Sequence, residues 1–368
     1  MTDIISILEK SYMLRHMAAL LAGVVLDRII GDPYDFPHPV RAIGSLVSFF
    51  EKKLLPQDGK VRDGNSDGRG GGPSDQGRVR NVKTSDGMAE VIKGALMWCA
   101  VAATTALITM LVMALSYRLH VFAGMCIEAV LTCYILAAKS LKDETMKVYD
   151  ALEHGTIDDA RHAVSMIVGR DTMSLDDAAV TRAAIETVSE NTSDGVIAPL
   201  IYTFLGGPVI GLMYKAVNTM DSMVGYHSVK YEYFGKVPAI MDDIFNFLPA
   251  RISAVFVILS SFICGKEFSG RDALRIFLRD RYKHKSPNSA QTESVCAGAL
   301  GVRLAGPASY FGVVVNKPYI GDDKRPVTHE DIKRAIKLLY VSEALCMAVL
   351  LGIAIVFFLA DKSIYFTI

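Results

Sequence analysis

The chain has 368 residues, 51% hydrophobic and 21% charged, with Lys+Arg and Asp+Glu equal at 39 each. A soluble domain of this length struggles to keep so large an apolar share out of water, which points to the bilayer as solvent. The even charge balance gives no sign of nucleic-acid binding or of an acidic substrate tail, so no nucleic-acid partner is expected and any electrostatic information is local.

Met13 to Ile30 reads as a first membrane span, with Arg15 at its start and Asp27 near its end. No small-residue cleavage site follows it, so it is kept as part of the mature chain. Next comes Gly31-Asp32-Pro33-Tyr34-Asp35-Phe36-Pro37-His38-Pro39-Val40-Arg41. Its three prolines fix the backbone, which suits a site where Asp32, His38 and Arg41 hold set directions and equally suits a stiff turn that stops a helix. Residues 57–87 are rich in Gly, Asp, Arg and Ser and poor in aliphatic side chains. They cannot offset their ordering entropy, so a disordered insertion without a catalytic role is expected there, inside an otherwise single domain over 1–368.

Gly94 to Tyr117 runs 24 residues without a charge, about 36 Å of helix at about 1.5 Å per residue and enough to span the hydrocarbon core. Leu119 to Ala138 is a second such run, interrupted by His120 and Glu128, and Leu338 to Ala360 is a third. Between Lys139 and Glu190 the pattern becomes amphipathic. Thr156 to Asp159 and Ser174 to Asp177 read as helix starts, with Gly169 closing the first of these short surface helices. Thr328 to Asp331 repeats the start signal, so one long helix is expected from His329 to Ala360.

Two apolar stretches are less simple. Gly195 to Tyr214 is uncharged but broken by Pro199 and Gly206-Gly207-Pro208, and Ile252 to Gly265 has only 14 uncharged residues. Both are expected to be re-entrant or half-crossing. Lys and Arg number ten in 31–93 and fourteen in 265–337, which places those loops in the cytoplasm with both termini outside. Region 195–264 must then cross an even number of times or only dip into the membrane. The six cysteines form no C-x-x-C pair and read as small buried hydrophobes rather than disulfides.

Polar residues gather around the broken segments. Ser189-Glu190-Asn191-Thr192-Ser193-Asp194 leads straight into one, a costly placement unless it binds something, although a helix cap would also explain it. The sequon Asn191-Thr192-Ser193 sits where glycosylation is not expected, beside a dipping segment on the cytoplasmic side. Lys215, Asn218 and Ser222 share a helical face at i, i+3 and i+7 with Asp221 adjacent, a set that could grip a phosphate and a metal. Asp242, Asp243 and Asn246 precede Arg251. Paired carboxylates suit Mg²⁺ with a nucleotide, and a capped helix start accounts for them almost as well. Ser286-Pro287-Asn288-Ser289 and Arg303 read as loop on their own. Asp27, Glu128 and Glu343 lie in or at spans, where carboxylates are either functional or reach the interface.

Taken in order, GDPYDFPHPVRAIG, SENTSDGVIAPL, YKAVNTMDSMVGY, DDIFNFLPAR and SPNS followed by GALGVRLAG closely resemble the CobD/CbiB family of cobalamin biosynthesis. The resemblance covers nearly the whole chain except 57–87. It implies an all-α, polytopic inner-membrane enzyme with short amphipathic cytoplasmic helices. It further implies that adenosylcobyric acid is joined to (R)-1-aminopropan-2-ol or its O-phosphate by an amide bond, with ATP and Mg²⁺. An acyl phosphate would be the simplest intermediate. On that chemistry Asp221, Asp242 and Asp243 are assigned to metal, and Lys215 and Arg251 to phosphate charge. Glu190 or His38 is assigned to accept the amine proton, with Asp194 beside them in the catalytic set. Asp32, Arg41, Asn191, Thr192, Asn218, Ser222, Asn246, Asn288 and Arg303 complete the substrate contacts. The lipid bilayer is a partner throughout, and a homo-oligomer stays possible. The competing reading is a transporter or a corrinoid-handling scaffold without chemistry. It would concentrate polar residues inside the spans and show internal repeats, whereas here they cluster at span ends and no repeat is visible.

Overall fold

Inside a bilayer a backbone must satisfy its own N–H and C=O groups, and helix is the way a single segment does so. The computed structural model describes residues 11–32, 37–55, 84–226, 230–310 and 312–365, and these are almost entirely helical. In chain order they form α1 (Tyr12–Ile29), α2 (Pro39–Leu54), α3 (Thr84–Leu119), α4 (Val121–Ile135), α5 (Ala138–His154), α6 (Ile157–Ser165) and α7 (Asp177–Asn191). A π-helical turn (Thr192–Ile197) leads into α8 (Ala198–Val224), followed by α9 (Lys236–Ile263), α10 (Gly270–Asp280) and α11 (Ser289–Leu300). Four strands, β1 (Leu304–Ala305), β2 (Ala308–Tyr310), β3 (Val313–Val315) and β4 (Tyr319–Ile320), form two small antiparallel pairs before α12 (Glu330–Tyr365).

Five helical stretches among the described residues are long and apolar enough to cross a membrane: Gly87–Leu119, Val121–His154, Asp177–Val224, Lys236–Ile263 and Glu330–Ala360. The protein is therefore an all-α, multi-pass membrane protein, as its composition requires. α1, read from the sequence as a span, is not one of the five: it has 18 residues and carries Arg15, Asp27 and Arg28. It packs within the bundle, where Arg28 pairs with Glu343 of α12 and Met17, Leu20 and Val24 join Met347 and Leu350 in one apolar cluster.

A second cluster, of Ile43, Val47, Met97, Val101, Leu212, Val217, Met220 and Phe234, packs α2, α3 and the latter part of α8. A third joins α5, α6, α7, α10, α11 and the strands. To it belong Ile332 to Leu339 of α12 and Ala254, Val257 and Ile258 of α9.

Several sequence expectations need correction. Residues 84–87, assigned to the insertion, form the first turn of α3, and Gly87 packs where a side chain would meet the Tyr233 ring; positions 57–83 lie outside the described residues. Residues 252–265 are not a short segment but the end of a continuous 28-residue helix. Arg251 and the aspartates before it interrupt the apolar run without interrupting the helix. Gly169 does not close α6, which ends at Met166, and α7 is capped by Asp176 rather than Ser174. All six cysteines are free; Cys99 and Cys126 are exposed and the other four buried.

The break in α8 is sharp. Gly206 (φ −150°, ψ 27°) and Gly207 (φ 63°, ψ −165°) leave the helical region ahead of Pro208, and the arms on either side fold back on each other. Tyr202 of the first arm stacks on Tyr214 of the second with ring centroids 4.9 Å apart. A side chain at Gly211 would collide with Thr203. Pro199 locks the base of this hairpin through a donor it lacks. In helical or π-helical register its missing N–H would have served the carbonyl of Gly195 or Asp194. Instead the Ala137 N–H donates to Gly195 O at 3.0 Å, and the Tyr214 hydroxyl donates to Asp194 O at 3.1 Å.

Both arms of the hairpin therefore open at the same end. Single cysteines at the exposed positions Ser222 and Lys236, in a chain without its native cysteines, should both resist an impermeant thiol reagent applied to intact cells and react once the membrane is opened. Labelling of both from outside would mean that the segments following the hairpin lie across the membrane.

Candidate functional site

The π-helical turn widens the helix for one turn, a departure that is rare in helices and frequent at functional sites. It turns Asp194 toward the returning arm. From there a hydrogen-bonded chain runs through elements distant in sequence. The single Tyr214 hydroxyl proton is shared between Asn246 Oδ1 (2.7 Å) and the more distant Asp194 O (3.1 Å). The Asn246 amide donates to Asp242 Oδ2 (3.1 Å), and Asn218 donates to Asp242 Oδ1 (3.3 Å). Asp242 and Asn246 are buried, at 9% and 0% exposure, and one amide holds each oxygen of the Asp242 carboxylate. Two amide donors, one on each oxygen, set the direction of this carboxylate.

Asp243 turns the other way. Ser286 donates to its Oδ1 at 2.9 Å, and the Asn288 amide donates to its backbone carbonyl at 2.9 Å. Arg251 stacks on Phe247, with its guanidinium carbon 3.5 Å from the ring centroid, and donates to Asn288 Oδ1 at 3.4 Å. Glu190, one turn before the π-helical turn, accepts from Ser289 at 2.7 Å. Asp221 lies in the returning arm of α8, one turn after Asn218, which holds Asp242. Among the described residues, however, no three His, Cys, Asp or Glu side chains come close enough to hold a metal by themselves. The acids assigned to metal are thus spread over α8 and α9 rather than gathered into a protein cage.

Asp32, His38 and Arg41 line a separate cavity of about 570 Å³ with Ser140, Asp143 and Lys147 of α5. Lys215 lies in the returning arm of α8, directly after Tyr214. His38 does not suit the proton-accepting role. Its Nδ1 accepts the Val40 N–H at 3.2 Å as the N-cap of α2, and its Nε2 meets Asp32 Oδ1 at 2.9 Å. Both ring nitrogens are therefore engaged.

Four other expected contacts sit elsewhere. Arg303 pairs with Asp323 at 3.3 Å and lines another cavity with Arg182, Tyr319 and Arg325. Thr192 is buried and donates to its own helix at Val188 O, while Ser222 is exposed and donates to Asn218 O. Asn191 donates to Thr187 O at 2.9 Å and lines the polar cavity described next.

Sequence reasoning missed Tyr214 and a whole polar cavity of about 160 Å³ on the far side of Glu190, lined by Arg170, Glu186, Glu190, His284, Glu293 and Lys317. Two signals could have found it. Glu186, Glu190 and Asp194 recur every four residues, and Glu293 is a single carboxylate among the small residues of SAQTESVCAGAL. Glu186 is matched by Arg170 and by the Ala305 N–H at 2.7 Å. Glu293 is 5% exposed, and its Oε2 has no hydrogen-bond partner. Burial, with the charges of Glu190 and Glu186, pushes the Glu293 carboxyl well above the usual range. Burial likewise pulls the His284 imidazole down.

A family model described as CobD/Cbib protein matches residues 20–339. The chain is 44% identical over 330 residues to a protein of Streptococcus sanguinis named cobalamin biosynthesis protein CobD, covering 89% of this chain and 93% of that one. It is 42% identical over 331 residues to the Salmonella typhimurium protein named cobalamin biosynthesis protein CbiB, covering 89% and 94%. With a Klebsiella pneumoniae protein named cobalamin biosynthesis protein CobD the identity is 41% over 329 residues, covering 89% and 94%. No solved structure matches the chain.

Proposed function

The chain belongs to the CobD/CbiB family and acts in cobalamin biosynthesis; from that premise we propose that it joins adenosylcobyric acid to (R)-1-aminopropan-2-ol or its O-phosphate. The reaction is amide formation driven by ATP with Mg²⁺, at a site facing the cytoplasm from the inner membrane, where ATP is available. The observation that supports this best is the chain of hydrogen bonds from Asp194 through Tyr214 and Asn246 to Asp242 and Asn218. It fixes the Asp242 carboxylate, while Asp243 beside it and Arg251 further along α9 both meet Asn288.

A free carboxylate is a poor electrophile, and bound ATP would supply the phosphoryl group that activates it. Mg²⁺ ordinarily keeps several waters and takes one or two carboxylates together with phosphate oxygens. Asp221, Asp242 and Asp243, spread over two helices, fit that mode. Lys215 and Arg251 offset phosphate charge. As the new C–N bond forms, the amine loses a proton, and Glu190 is placed to accept it, since Ser289 occupies only its Oε1. The cavity beside Asp32 and Arg41 offers polar groups to the corrinoid rim.

Purified protein in detergent should hydrolyse ATP only when corrinoid and amine are both present, with one amide formed per ATP consumed. ATP turnover that ignores either substrate, or amide formation without ATP, would refute this chemistry.

A further inference from the structure

Helix α9 carries its apolar residues outward. Ile240, Ile244, Leu248, Val255, Leu259 and Phe262 lie on one helical face and are 47–63% exposed, whereas Asp242, Asn246 and Ser253 are buried. Leu274 and Leu278 of α10, with Tyr282 just beyond it, are exposed at four-residue steps. The two faces join, because the Phe262 ring fills the space that a side chain at Gly270 would need. A helix that is polar inside and apolar outside does not face water, and so broad an apolar surface marks contact with a membrane or a protein.

The level at which α9 lies identifies the partner. α3 and α4 are paired crossings that run in opposite directions, with Gly124 against Tyr117. Met97 and Val101 of α3 pack with Ile135, the last residue of α4. Near its start α9 sets Phe245 edge-on to Trp98 of α3, the ring centroids 6.5 Å apart. Near its end Ser260 meets Ser342 of α12 at 2.9 Å. Glu343, next to Ser342, pairs with Arg28 at the end of α1, and Gly31 just beyond lies against Lys139 at the start of α5. Phe245 and Ser260 are about 22 Å apart along the helix at about 1.5 Å per residue, yet both meet their partners where α4 gives way to α5. α9 therefore runs along that level instead of through the bilayer. Arg251, in line with the apolar face, supports the same placement. A crossing would carry this charge to mid-membrane, where it is costly, while at the membrane edge its guanidinium reaches Asn288 at 3.4 Å.

We infer that the joined face of α9 and α10 lies in the plane of the membrane interface, sunk among acyl chains with phospholipid headgroups along its edge. Cations border it. Lys266 and Arg271 are exposed, without an acidic partner among the described residues. Arg281 rests over the Phe277 and Tyr282 rings, its guanidinium carbon 5.0 and 4.9 Å from their centroids. Such side chains lay their stems on apolar surface and present their charge to headgroup phosphates. The placement does not depend on the reaction proposed above.

Spin labels read this depth directly. In the full-length chain with Cys99 and Cys126 replaced by Ala, single cysteines at Ile244, Leu248, Leu259 and Leu278 can be spin-labelled in vesicles of phosphatidylcholine and phosphatidylglycerol. All four positions are exposed, so a label displaces no packing. Relaxation by dissolved oxygen, compared with relaxation by a water-soluble nickel complex, gives the depth of each label. All four should lie within about 5 Å of one another, at about 5–10 Å below the headgroups. Labels at Ile244 and Leu259 on opposite sides of the bilayer midplane would show a crossing and overturn the inference. Relaxation dominated by nickel at any of the four would place that position in water and overturn it as well. Labels shielded from both reagents, with spin–spin broadening that disappears on dilution with unlabelled protein, would give the face to a second copy of the chain instead of to lipid.

Discussion

Asp242→Asn is expected to lower turnover about a hundredfold or more while the protein still reaches the membrane in normal amount. The side chain keeps its shape, but the new amide must turn an NH2 toward either Asn218 or Asn246, both of which donate to this carboxylate. One contact becomes donor against donor, and the carboxylate charge is gone. If Asp242 served only to tie helices together, the change would cost roughly 1–3 kcal/mol of stability for the lost buried hydrogen bond and leave the rate constant intact. Measuring turnover and thermal midpoint on one preparation separates these outcomes. Asp221→Asn and Asp243→Asn should follow Asp242→Asn in rate, and near-normal turnover for all three at saturating Mg²⁺ would return these residues to a structural role.

Gly207→Ala should lower both stability and activity. At φ 63° and ψ −165° the residue occupies a region that only glycine adopts freely, and an L side chain there costs on the order of 1–3 kcal/mol. The cause is torsional, not a clash, because the nearest atom to an added Cβ is Glu128 Oε1 at 3.8 Å. A shifted hairpin would move Tyr214 off Asp194, so turnover should fall with stability. Gly352→Ala is the matched control. It lies in helical conformation in α12 with nothing within 4 Å of the added carbon, and should raise stability by roughly 0.5–1 kcal/mol. If Gly207→Ala matched wild type in midpoint and rate, the hairpin would not depend on this torsion.

Much of the architecture was legible because it is local. The Gly206-Gly207-Pro208 break, the Thr156–Asp159 capping box and the long helix starting near His329 all follow from adjacent residues. α9 was misjudged because Asp242, Asp243 and Arg251 interrupt the apolar count. Their partners, Asn218, Ser286 and Asn288, lie far along the chain, and composition cannot show that a polar face will be covered. Pro199 was visible as a breaker, but its effect as a missing donor depends on Ala137 and Tyr214 arriving from elsewhere. Candidate site residues were legible where they cluster in sequence, as at Glu190 to Asp194. Where a single acid sits among small residues, as Glu293 does, nothing nearby marked it. His38 was assigned a proton-accepting role, while the structure places Val40 N–H and Asp32 on its two ring nitrogens; the partners of a ring nitrogen cannot be read from residue type.

The folded-back hairpin also bears on how the chain is made. The tip between Phe204 and Pro208 carries no formal charge, so the insertion machinery can pass it into lipid without carrying a polar loop to the far side. Yet the first arm leaves the ribosome before anything exists to hold it. Tyr214, which closes the hairpin on Asp194, follows 20 residues later, and Ser289, which meets Glu190, follows 99 residues after it. Until those residues emerge, the polar turn at 190–194 sits at the membrane edge without its final partners. A nascent chain arrested before residue 289 should therefore expose this turn to a quality-control protease, and a completed chain should protect it.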